Sequence, residues 1–221
     1  MNLRQEPGRR ILVVTAVPAE RDAVLQGLCS DSRFDVLAGG VGAVSAAVST
    51  AKALAAAGYS LIVSAGIGGG FPGRAELGSL VVANEVIAAD LGVKTPEGFS
   101  SLDDLGFGLT RLQADPGLVD RVTAALQEAK LPVNTGPVLT VSTVTGTAET
   151  AMELAARVEG AAAEGMEGYG VALAAREFGL PVLEIRAISN MVGPRDRSAW
   201  KIKEALDVLA AACSVLLEVL P

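Results

Sequence analysis

Four apolar, β-branched runs, each giving way to a helix-like or loop stretch, limit what this chain can fold into more than any other feature. "RILVVTAV" from Arg10, "FDVLAGG" from Phe34, "SLIVSAGIGGGF" from Ser60 and "VLEIRAISN" from Val182 are short and nearly continuous, as strands buried on both faces are. Pro18 ends the first run, and "PAERDAVLQGL" continues with helical spacing and proline in its first turn. The Ala-rich "AVSAAVSTAKALAAAG" does the same after the second run. Further helices are predicted over 117–130, 148–157, 168–178 and 199–220, and further extended segments over 78–93, 137–144 and 161–166. Residues 91–110, with Pro, Gly, Ser and two aspartates, read as a loop that could serve as a lid or a subunit contact. Alternating strands and helices imply a layered α/β domain with a largely parallel sheet, and ligands beyond the carboxyl ends of its strands. No repeat and no linker-like shift divides the chain, so residues 10–221 read as one domain after a flexible polar arm over 1–9 with no signal-peptide core.

Composition narrows the chemistry. The chain has no histidine, which removes Ser-His and Cys-His catalysis and histidine-ligated metals. Cys29 and Cys213 stand in no metal-ligand spacing and read as free thiols of a cytoplasmic protein. A net charge of −7 argues against general nucleic-acid binding, and no apolar segment is long enough to span a membrane. Positive charge is nevertheless concentrated at Arg186, Arg195, Arg197, Lys201 and Lys203, against only Asp196. That cluster is either a solvated helix start or a socket for an anionic part of a ligand.

Four strand ends are candidates for a site: "VPAERD", "SAGIGGGF", "AEGMEGYG" and "ISNMVGPRDR". "GVGAVS" at residues 40–45 approaches a dinucleotide fingerprint but has serine for its third glycine. The next strand ends in "SAG" where a ribose-binding acid would stand. "GIGGG" at 66–70 is too short for a Walker loop, and reads as a tight turn needing positive φ or as backbone that approaches a ligand closely. Glu20 and Glu167 each fall in the first helical turn after a strand. They are charges suited to a helix dipole or, with no histidine present, the natural general bases. Arg186 lies inside the last strand and needs such a carboxylate as partner.

The order of "AVPAERD", "GVGAVSAAV", "SAGIGGG", "GMEGYGVA" and "IRAISN" resembles the purine nucleoside phosphorylase/hydrolase superfamily, from about Ile11 to the C-terminus. Within it the chain looks most like the nucleosidases that act on futalosine. The resemblance implies a three-layer α/β/α sandwich with a mixed central sheet. It also implies a small-molecule nucleoside as substrate, no metal or organic cofactor, and a homo-oligomer. It gives Glu20 the role of activating a water, Glu167 that of binding the ribose hydroxyls, and Met166 that of packing on the sugar. Arg186 would hold the carboxylates and water, Gly68 and Gly69 would lie near ribose and base, Asn190 would face purine N7, and Trp200 would line the 5′ side. Two departures stand out. The superfamily's adenine-specific nucleosidases have aspartate where this chain has Asn190, and serine where it has Ile67. An asparagine amide both donates and accepts, which suits a 6-oxopurine such as hypoxanthine; otherwise Asn190 is a turn former before "VGP". Arg195 or Arg197 would then pair with a carboxylate on the 5′ substituent.

Overall fold

The computed structural model describes residues 10–221; the arm expected over 1–9 lies outside the described residues. The first unit is strand β1 (Ile11–Thr15), helix α1 (Pro18–Gly27), strand β2 (Phe34–Ala38) and helix α2 (Ala43–Ala56). Strands β3 (Leu61–Gly70) and β4 (Leu80–Ala88) follow, then β5 (Gly92–Thr95), β6 (Gly98–Ser101) and β7 (Arg111–Gln113). Helix α3 (Pro116–Glu128), strand β8 (Val133–Thr140), helix α4 (Ala148–Arg157), strand β9 (Ala163–Gly165) and helix α5 (Gly168–Glu177) come next. Strand β10 (Val182–Met191), a 3₁₀ turn at Arg197–Ala199 and helix α6 (Ile202–Val219) complete the chain.

Each long apolar run became a strand because both its faces are covered. Val13, Val63, Val82 and Ile185 join a core with α1, α3 and α6. Their neighbours Leu12, Ile62, Val81 and Ile188 join another that takes in residues of α2 and α5. The result is the expected mixed central sheet with helices on both sides. It also does something that the pattern did not announce. β10 pairs in parallel with β3 and antiparallel with β4, β4 and β9 flank β8 in parallel, and β9 returns antiparallel to β3. Five strands thus close a ring, and β1 and β2 extend from it beside β3.

β3 is the pivot. On one edge its residues Leu61–Ser64 pair with β1, whereas Gly69 and Gly70 pair with β9. Between these partners the edge at residues 65–68 is left open, and the carboxyl end of β1 diverges from β9 there. That gap is where the sheet offers room for a ligand.

Three expectations need correcting. Residues 91–110 are not simply a loop, since β5 and β6 form an antiparallel hairpin within them. The "GIGGG" stretch is strand rather than turn, with no positive φ at Gly66, Gly68, Gly69 or Gly70. Its glycines answer to close packing instead: a Cβ at Gly66 would stand 2.7 Å from Glu20 Oε1. The last helix starts at Ile202, because the Asp196 side chain accepts the Ser198 N–H and caps a separate 3₁₀ turn. No helix among the described residues is long and apolar enough to cross a membrane.

Candidate active site

A cleft of about 240 Å³ opens at the gap in the β3 edge. Glu20 reaches it from α1, Gly68 and Gly69 from β3, Met166 and Glu167 from the β9–α5 junction, Asn190 from β10, and Trp200 from the turn before α6. A larger cavity of about 520 Å³ lies between the hairpin and α4 and shares Val144 and Thr145 with the loop beside the cleft. None of the residues just placed in the cleft lines it, so the smaller cleft is the candidate site.

Glu20 is held by the chain's own unpaired donors. Pro18 starts α1 and Val17 has no side-chain cap, so Glu20 at the third position turns back to the helix start. Its Oε2 accepts the Ala16 and Val17 N–H groups at 2.8 and 3.2 Å, and its Oε1 accepts the Ile67 N–H at 2.9 Å. The last donor belongs to the open edge of β3. Glu20 therefore replaces a missing strand there, and its capping role is as real as its place in the cleft.

Glu167 stands one residue before α5, as its N-cap, and not in the first helical turn as expected; it differs in this from Glu20, the third residue of α1. Oε1 accepts the Gly42 N–H at 3.1 Å and Oε2 the Met166 N–H at 3.3 Å. Arg186 Nη1 also approaches Glu167 Oε2 at 3.5 Å. The fully buried Arg186 donates further from Nε to Glu184 Oε1 at 2.8 Å and from Nη2 to Ser64 Oγ at 3.0 Å. Burial alone would lower its pKa; the negative charges of Glu184, Glu167 and Glu20 outweigh that and raise it. Arg186 lies behind the cleft and does not line it.

A β-bulge presents Asn190. Ile188 pairs with Gly68 and Asn190 with Gly69, so Ser189 is the extra residue in β10. Asn190 is thus part of the strand and not a simple turn residue. Its Oδ1 accepts from Ser189 Oγ at 2.9 Å and its Nδ2 donates to the Met191 carbonyl at 3.1 Å. An amide has two acceptor and two donor positions, so one of each remains for a ligand.

The structure divides the basic cluster. The Lys201 and Lys203 ammonium groups approach Glu204 and Asp207 at 3.8 and 2.7 Å along α6, as a solvated helix start would have them. Arg195 and Arg197 are exposed and lie 5.1 and 5.8 Å from the centroid of the Trp200 ring. They flank the cleft through Trp200 without lining it.

Sequence reasoning missed Glu164, a buried carboxylate in the cleft wall. It accepts the Thr145 N–H at 3.0 Å and the Thr145 hydroxyl, and so pins the loop that carries Val144 into the cleft. Burial pushes the Glu164 carboxyl above its ordinary range, against the lowering effect of the Thr145 bonds. Its place three residues before Glu167, inside an apolar segment, was the available signal. Glu184 was missed as well, although it precedes Arg186 by two residues on the same strand.

A parallel-edge cleft with two buried glutamates at strand mouths, behind a closed mixed sheet, defines a class. The chain belongs to the phosphorylase superfamily, whose family model matches residues 13–220. Within that class it is 49% identical over 230 residues to the futalosine hydrolase of Streptomyces coelicolor, covering 95% of this chain and 96% of the relative. It is 45% identical over 218 residues to the futalosine hydrolase of Acidothermus cellulolyticus, covering 93% and 89%. Among solved structures it is similar to native futalosine hydrolase of Helicobacter pylori, with TM-score 0.82 over 95% of this chain and 97% of that one. The identity there is 16%, so that likeness is one of fold.

Proposed function

We propose that this chain is an N-glycosyl hydrolase that cleaves futalosine to hypoxanthine and dehypoxanthine futalosine, a step of menaquinone biosynthesis. The observation that carries the reading is the convergence of Glu20, Glu167 and Asn190 on one cleft. The similarity to futalosine hydrolases at 49% and 45% identity supports the substrate.

Breaking the N-glycosidic bond builds oxocarbenium character on the ribose and negative charge on the departing purine. Glu167, at the sugar, favours the first through its charge and its bonds to the ribose hydroxyls. Met166 packs on the sugar, and Gly68 and Gly69 let the base and ribose approach the β3 backbone. Glu20 takes the proton of the attacking water, and its negative charge disfavours phosphate as the alternative nucleophile. N7 of the leaving base takes a proton from solvent and Glu20 later returns its proton to solvent, so the sum is addition of one water. Asn190 accepts from that N7–H and donates to O6, using the donor and acceptor its local bonds leave free. Arg186 orients Glu167 from behind. Trp200 lines the 5′ side, and Arg195 or Arg197 beside it pairs with the carboxylate of the 5′ substituent. The scheme uses no metal and no organic cofactor. It belongs to a cytoplasmic homo-oligomer, for which the exposed Leu105, Phe107 and Leu109 next to the hairpin are the surface on offer.

The deciding experiment incubates the protein with futalosine, aminofutalosine, methylthioadenosine and inosine, first without and then with phosphate, and measures free base. Hypoxanthine released fastest from futalosine, without phosphate, is the expected result. A requirement for phosphate, or a preference for the 6-amino nucleosides, would overturn the reading.

A further inference from the structure

The scheme above makes no use of Glu184. Its side chain is 1% exposed, and its Oε2 has no hydrogen-bond partner within the protein. A carboxylate so placed is costly, and a well-packed apolar residue would cost less. Stability therefore does not account for its presence. Its surroundings do. Oε1 accepts the Nε–H of Arg186 at 2.8 Å, while Ser64 Oγ accepts from Nη2 at 3.0 Å. A guanidinium is planar, so two bonds from different nitrogens, Nε and Nη2, fix its orientation and leave Nη1 directed at Glu167. The same carboxylate packs on the first residue of α5, directly after Glu167. A Cβ on Gly168 would stand 2.2 Å from both Glu184 oxygens, so only glycine admits it there. Glu184 thus touches two of the groups around Glu167, its cationic partner Arg186 and the backbone of Gly168, which act beside the Gly42 and Met166 N–H groups.

We infer that Glu184 is a positioning residue of the reaction, acting through Arg186 and Gly168 to hold the Glu167 carboxylate toward the sugar. The inference rests on the nucleosidase reading above. It also gives Gly168 its reason, since the glycine makes room for the positioning carboxylate.

The test is a double-mutant cycle on kcat/KM with futalosine and with inosine. Glu184→Gln keeps an acceptor for Arg186 Nε but loses the charge, and should lower kcat/KM by about 10–100-fold, the scale on which outer-shell partners of metal ligands act. The loss should be equal for the two substrates, because both present the same ribose to Glu167. In a Glu167→Gln background the same change should cost less than about threefold, since residues that act as a unit are not additive. Gly168→Ala, which displaces the carboxylate while leaving it in the chain, should show the same coupling and carries the test where Glu184→Gln does not fold. Equal losses in both backgrounds would make Glu184 a structural residue only, and wild-type rates in Glu184→Gln and Gly168→Ala would overturn its role outright. If Glu167→Gln alone keeps the wild-type rate, the role of Glu167 falls, and with it the site reading; a strong Glu167→Gln effect without coupling sinks only the inference.

Discussion

The carboxylate of Glu20 accepts the Ile67 N–H at 2.9 Å, which fastens the first turn of α1 to the unpaired stretch of β3. The bond comes from the backbone of residue 67, so it does not depend on which side chain stands there. Ile67 packs its side chain against the core formed with α1, α3 and α6. No side-chain hydroxyl at this position is therefore needed to hold Glu20.

That bond shapes the first prediction. Glu20→Gln should lose about 10²–10⁴-fold in kcat, the range for a general base. The new amide must also point its NH₂ at a backbone N–H, either that of Ile67 or those of Ala16 and Val17. An unmade buried hydrogen bond costs about 1–3 kcal/mol, so unfolding should come at lower denaturant as well. Wild-type turnover together with lowered stability would leave Glu20 as a cap and nothing more.

Glu164 makes stability depend on pH. Burial raises its folded pKa above the unfolded value, so the folded state binds the proton more tightly. Its stabilising contribution is then complete below the unfolded pKa and is lost as pH rises through the folded one. Glu164→Gln is neutral at every pH. Its melting temperature relative to wild type should therefore climb as pH is raised from about 4, near the unfolded carboxyl pKa, to about 7. A difference that stays flat over that range would mean the carboxylate is held by Thr145 strongly enough to cancel its burial.

Removal of Arg195 or Arg197 should separate substrates by their 5′ substituent. A hydrogen bond to a charged group contributes about 1.5–3 kcal/mol. Alanine at the arginine that meets the carboxylate should thus weaken futalosine by roughly 10–100-fold relative to inosine, which has no such group. Kinetics with both nucleosides on each variant decide it; equal losses would reduce the pair to supports for the Trp200 ring.

Asn190→Asp tests the base. The substitution replaces the free donor by an acceptor facing O6, and the lost bond should cost about 1–3 kcal/mol. The ratio of kcat/KM for futalosine to that for its 6-amino analogue should fall by very roughly 10–200-fold. The ratio cancels any general loss of folding. If it does not move, Asn190 has no part in choosing the base.

Periodicity alone was enough to place most elements. The runs at 10–17 and 182–190 hold β1 and β10, and 148–157 is helix to the residue, because apolar spacing and proline signals act over a few residues and need no partner. The hairpin within 91–110 was illegible, since its strands are four residues each with no buried residue and little apolar patterning to mark them. The bulge at Ser189 was hidden for a related reason: "AISNM" reads the same whether or not one residue slips against β3.

The sequence by itself determined which residue types were available: no histidine, glutamates at two strand mouths, an asparagine at a third and an arginine among apolar neighbours. It also determined that strands and helices alternate. Tertiary structure alone decided that β3 changes partner from β1 to β9 and leaves an open edge for Glu20 to fill. It decided too that Glu184, Arg186 and Glu167 line up in one buried chain of charge. The physical reason is that a strand's own composition sets its tendency to extend, whereas its partners depend on which edges other strands, distant in sequence, have left unpaired.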